Sequence, residues 1–169
     1  DDRTTALRDQ ILTYFISSVM TDDERAKLLG LPRGCRIREG AKIISPENLK
    51  CGRYVWIGEY AVLDASGGLE IGDYTQIGLH TFIWTHTTYL QALRSETCRS
   101  SASIIRRPTR IGRNCFIGGP SVVYPGITIE DSVVVLPLSS ITKRLKSGYI
   151  YGGSPAKRIR KLTDSELGL

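Results

Sequence analysis

Two histidines, His80 and His86, are the only imidazoles among the 169 residues, and imidazole is the side chain that exchanges a proton most readily near neutrality. Either is a candidate general base. Two imidazoles cannot build a His₃ zinc site within one chain, and the four cysteines (35, 51, 98 and 115) lack C-x-x-C spacing, so no metal centre has a supporting pattern. A chain of this length buries one core without disulfide staples, so the scattered cysteines fit a reducing, cytoplasmic setting. The net charge of +6 admits nucleic acid, a membrane surface or a phosphorylated small molecule as partner. Residues 1–93 carry ten basic and twelve acidic side chains, whereas residues 94–169 carry thirteen and five. From Ser132 to Thr163 there are seven basic residues and no acid, a compact cationic surface suited to phosphate groups.

These residues must be held by something, and the elements are legible in the spacing. Leu7, Ile11, Leu12, Phe15, Ile16 and Val19 recur at three- and four-residue steps, which predicts a helix over Thr4 to Met20. Thr21-Asp22-Asp23-Glu24 has the form of a capping box and starts a second short helix to about Leu29, stopped by Gly30 and Pro32. Beyond Pro32 the period is six. Ile37, Ile43, Cys51, Ile57, Leu63, Ile71, Ile77, Ile83, Ile111, Ile117, Val123, Ile129, Val135 and Ile141 form the series, and the last six keep it without a slip. Small or short-branched residues such as Ala41, Ala61, Thr75, Thr81, Cys115 and Ser121 follow four places later. This pattern predicts a solenoid of short strands with aliphatics inward and small residues at tight corners.

Three faces a, b and c take the rungs in turn, and every slip falls between b and c: eight residues from Ile43 to Cys51 and from Leu63 to Ile71, and twenty-eight from Ile83 to Ile111. Gly follows the aliphatic six times on faces a and c and never on face b, where Ile44, Asp64, Trp84, Tyr124 and Thr142 stand instead. A row of larger side chains about 4.8 Å apart is therefore expected along one edge. His86 lies two residues after Trp84, where the chain leaves to form an excursion over about 84–110. There it serves either as a base or as a hydrogen-bonded anchor of the loop. His80, on face a, is the competing base or an ordinary corner residue.

The repeat resembles that of the hexapeptide-repeat acyltransferases, among them the galactoside- and maltose-type sugar O-acetyltransferases, over about residues 35 to 161. The resemblance implies a mainly β fold, a left-handed parallel β-helix over 33–145, preceded by a helical segment 1–32 and followed by a cofactor-binding tail 146–169. It implies acetyl-CoA as co-substrate without a metal, transfer of acetyl to a sugar or glycan hydroxyl, and one His, here His86, as base. Gly119 matches a backbone oxyanion donor, and Asp64 an acceptor-contacting position, where a carboxylate would bind a sugar hydroxyl, orient His86 or close the turn in Asp64-Ala65-Ser66-Gly67-Gly68. Trp84 and Tyr124 share that acceptor edge. Ser139, Thr142 and Lys143, and then Lys157 and Arg160 within Gly153-Ser154-Pro155-Ala156-Lys157-Arg158-Ile159-Arg160, match the family's CoA-binding close.

One departure stands out: Val135-Leu136-Pro137-Leu138-Ser139 replaces the common I-G-x-G-S, which crowds the donor surface and admits a longer acyl group. The family implies a homotrimer with sites between subunits. N-acetylation of an amino sugar or antibiotic and a silent β-helix scaffold are the competing readings; a γ-type carbonic anhydrase is opposed by the histidine count. No apolar run approaches the roughly 18 residues of a membrane helix, so integral membrane association is not expected, nor is a secretory signal. The basic residues gathered beside the CoA-binding close point to a phosphorylated cofactor rather than to nucleic acid.

Overall fold

The computed structural model describes residues 2–6, 20–95 and 103–169; most of the helix expected over Thr4 to Met20 lies outside them. From residue 36 the chain winds as five coils of a three-faced parallel β-helix. Face a aligns Ile37, Ile57, Ile77, Ile117 and Val135 in one register. Face b aligns Ile43, Leu63, Ile83, Val123 and Ile141, and face c aligns Cys51, Ile71, Ile111 and Ile129. Every rung of the six-residue series therefore takes its expected face, and all are buried except the half-buried Cys51. A strand of two residues has no stability alone. Here each is paired with the coils on either side, and its one inward side chain joins a continuous apolar column.

The corners follow from the same geometry. Thr75 Oγ1 donates to the Gly112 carbonyl at 2.7 Å and Ser121 Oγ to that of Gly118 at 2.5 Å, so small hydroxyls pin turns too tight for larger side chains. The six glycines that follow an aliphatic on faces a and c have a steric cause: a Cβ on Gly78, for one, would lie 2.4 Å from the Gly119 nitrogen of the next coil.

Both ends are closed. Helix Asp22–Leu28 begins with the expected capping box, with both reciprocal bonds formed at Thr21 and Glu24. It sits under the first coil, where the buried Arg25 guanidinium donates to the Ile37 carbonyl at 3.1 Å and Ala26 joins the core. At the other end, strand Tyr149–Gly152 continues face a as a further rung, Val135 opposite Tyr151. The solenoid thus runs past the expected boundary at 145. Strand Lys157–Lys161 then folds back antiparallel on it, and its basic side chains blunt the free edge.

The excursion leaves at the b-to-c corner of the third coil. Its two ends, His86–Thr87 and Ile105–Arg106, pair as an antiparallel ribbon with His86 opposite Arg106, and a short helix Tyr89–Leu93 follows the outgoing strand. The Thr109 hydroxyl, donating to the Trp84 carbonyl at 2.8 Å, ties the returning chain to the corner it left.

Candidate active site

Twenty residues make one coil here, so Asp64 of the second coil lies beneath the Trp84-Thr85-His86 corner of the third. Alternation after the inward Leu63 would turn Asp64 outward. Instead it is fully buried, because the chain above and beside it supplies donors. Oδ1 accepts the Ser66 N–H at 3.0 Å. Oδ2 accepts the Thr85 N–H and hydroxyl, both at 2.9 Å, and contacts His86 Nδ1 at 2.7 Å. Burial alone would raise this carboxyl, but the donors of Ser66, Thr85 and His86 outweigh it and hold the group well below the ordinary carboxylate range. An ionised carboxylate at that position accepts from Nδ1–H, which leaves Nε2 with its lone pair on the neutral ring. The His86 side chain is 29% exposed, so this nitrogen is within reach of a ligand.

Two further side chains complete the cradle. Thr85, buried, donates to Asp64 and accepts the Gly67 N–H at 2.8 Å, locking the second-coil turn to the third. Ser66 Oγ lies 3.1 Å from His86 Nδ1. Neither follows from the hexapeptide period. Their signal is the polar cluster Asp64–Ser66 standing one coil from Thr85-His86. Trp84 stacks parallel to Phe82 (6.3 Å, 5°) and meets His86 edge-on at 6.2 Å, so it walls the imidazole.

The remaining expected residues divide. Asp64 has no exposed surface and both oxygens occupied, so an acceptor contact from it is not available; the geometry accommodates the orienting role. His80 lies on another edge, in left-handed backbone (φ 53°) directly over Tyr60 (φ 55°), with the two rings stacked at 5.2 Å. Gly119 is at the a-to-b corner, a full face from His86 within one protomer, and no acceptor takes its N–H among the described residues. Tyr124 and Thr142 share a recess of about 330 Å³ with Thr87, Tyr89 and Arg107, on the side of the ribbon away from the His86 ring. Ser139 is buried and its hydroxyl pins the corner, donating to the Leu136 carbonyl at 2.6 Å. With its neighbour Ser140 it borders a groove of about 260 Å³ lined also by Phe82, Pro120, Leu138 and Ser154.

The basic end divides similarly. Arg160 forms a two-pronged bond with Glu166 at 2.8 and 2.9 Å, which draws the Glu166 carboxyl down to about 2 and leaves the guanidinium engaged. Arg144 and Lys146 both pair with Glu130. Lys143 and Lys157 are exposed with no ion pair among the described residues, so their charges are available to a phosphorylated ligand. No group of three His, Cys, Asp or Glu among the described residues is placed to hold a metal ion. No helix among them is long and apolar enough to cross a membrane.

The fold agrees with what the chain is similar to. Residues 108–136 match the family model described as the hexapeptide repeat of succinyl-transferase. WcaF of Escherichia coli K12, provisionally named a colanic acid biosynthesis acetyltransferase, is 30% identical over 130 residues, 77% of this chain and 68% of that protein. The E. coli galactoside O-acetyltransferase is 32% identical over 68 residues, 40% of this chain and 34% of that one. A hexapeptide-repeat acetyltransferase of Vibrio cholerae superposes with a TM-score of 0.80 at 25% identity, covering 93% of this chain and 90% of the other. Its complex with acetyl coenzyme A gives 0.71 at 26%, covering 92% and 86%. The chain belongs to the hexapeptide-repeat acyltransferase family, with that family's left-handed β-helix, and is an acyltransferase.

Proposed function

We propose that the protein transfers an acetyl group from acetyl-CoA to a hydroxyl of a sugar or glycan, with His86 as general base and no covalent acyl-enzyme. The observation that carries this is the 2.7 Å contact between His86 Nδ1 and the buried Asp64 carboxylate, which turns Nε2 away from the carboxylate. Acetyl-CoA supplies an acyl group already activated as a thioester. Nε2 takes the proton of the acceptor hydroxyl as its oxygen attacks, and the imidazolium, steadied by Asp64, returns a proton to the departing sulfur. No serine or cysteine nucleophile is required. Thr142, Lys143 and Lys157 are the side chains with room and free polar groups for the CoA arm and its phosphates. The galactoside O-acetyltransferase and WcaF relatives support a sugar acceptor.

A homotrimer with sites between subunits fits the three unlike faces. Face c carries the alternating ladder Lys50, Glu70 and Arg110 and is a solvated surface. Face b turns Val62, Phe82 and Val122 outward, and the neighbouring a face and corner expose Phe116 and Leu138. The apolar row on face b, with Phe116 and Leu138 beside it, is what a closed three-fold assembly would cover, bringing one subunit's His86 toward a neighbour's Gly119.

Thiol release from acetyl-CoA across a panel of sugar alcohols, amino sugars and chloramphenicol, with the acetylated atom located by NMR, tests the reading. An acetyl ester on a sugar hydroxyl is expected. Exclusive amide formation, or turnover of the antibiotic alone, would overturn it.

A further inference from the structure

The ribbon that carries His86 also sets a second side chain beside it. In the antiparallel pair His86 is opposite Arg106, and directly opposed residues project to the same face with their Cβ atoms roughly 5 Å apart. Arg106 borders a recess of about 460 Å³ whose floor is Ser66-Gly67-Gly68, the same Ser66 whose hydroxyl touches the His86 ring. Glu47, Asn48 and Lys50 form the far wall. The recess lies toward the first two coils, on the opposite side of His86 from Lys143 and Lys157. It contains no aromatic or aliphatic side chain.

The charges within it are unequal. Lys50 is paired with Glu70, which Arg110 also engages. The Arg106 side chain is exposed and has no hydrogen bond or ion pair among the described residues. Glu47 and Asn48 accept from hydroxyls, as Ser66 does, so the wall suits a polyhydroxylated ligand, while a planar guanidinium with five free donors suits a carboxylate or phosphate.

We infer that this recess is the acceptor subsite and that Arg106 selects an anionic acceptor, a sugar bearing a carboxylate or phosphate near the hydroxyl that His86 deprotonates. The inference rests on the proposed His86 chemistry for its orientation, but its binding arm stands without turnover.

Binding of methyl glucuronide, glucose 6-phosphate and neutral methyl glucoside is measured by saturation-transfer NMR and titration on His86→Ala protein, and kcat/KM for each on the unaltered enzyme. An anionic sugar should bind about tenfold more tightly than the neutral one, since a charge-assisted pair contributes roughly that factor or more. Whichever of the two anions leads identifies the group read. Arg106→Gln should bring the ratio of anionic to neutral affinity close to one, and Arg106→Lys should restore part of it. Equal affinity for all three sugars, no binding of any, or a preference that survives Arg106→Gln would overturn the inference. If the preference holds while His86→Ala retains full turnover, the base assignment fails and the acceptor assignment stands.

Discussion

At the scale of single residues, the proposed chemistry of His86 depends on a carboxylate placed where alternation would not put it. Asp64→Asn replaces an acceptor with an amide whose NH₂ confronts the donors of Thr85, so a loss of about 1–3 kcal/mol in urea unfolding is expected, with kcat reduced on the order of a hundredfold as the ring loses its fixed tautomer. The pH dependence has a definite sign. The folded carboxyl titrates below its unfolded value, so its stabilisation is fully present above about pH 4 and is lost as pH falls toward the folded value. Urea midpoints taken from about pH 3 to about pH 6 should fall toward acid in the parent protein and much less steeply in Asp64→Asn. His80→Asn tests the competing base without straining a left-handed corner, since Asn tolerates positive φ. Turnover should stay within about twofold of the parent, as expected of a ring stacked on Tyr60 rather than held by a carboxylate.

Among the elements, the b-to-c corners carry the proposed site and the rungs carry the fold. Gly67 packs so closely on the third coil that a Cβ there would lie 2.2 Å from the Thr85 carbonyl oxygen, immediately before His86. Gly67→Ala is expected to cost about 1–3 kcal/mol and to lower activity together with the melting temperature, because strain at Thr85 moves the imidazole. Differential scanning calorimetry beside a turnover assay would check both. The rungs were legible in sequence because each repeats the same inward contact, and even the helix Asp22–Leu28 showed its capping box. The ribbon was not, because pairing His86 with Arg106 joins residues twenty apart across a segment with no period. Nor was the inward turn of Asp64: its cause lies in donors from the next coil. Ser139 is ambiguous for a related reason, since a small residue at a corner reads alike whether it pins the turn or faces a ligand.

For the whole molecule, the inward column makes stability cooperative while the corners vary freely. Ile117→Ala, at a fully buried rung, should destabilise by about 2–5 kcal/mol as the cavity is only partly filled, measured by denaturant unfolding. Its effect should exceed that of any exposed ion pair on face c, each of which contributes about 1 kcal/mol or less. Sedimentation equilibrium should give three times the chain mass, with Phe82→Glu on the apolar b face shifting it toward monomer. Within the basic stretch from Ser132 to Thr163, Lys143 and Lys157 have no ion pair among the described residues, whereas Arg144, Lys146 and Arg160 are bound to carboxylates of the same chain. The central claim is that His86, oriented by Asp64, removes the acceptor proton, and its most direct test is steady-state CoA release by His86→Ala with the best sugar acceptor. A fall in kcat of about a hundred- to ten-thousandfold, with melting temperature and trimer mass preserved, is predicted; unchanged turnover by that variant would contradict the account.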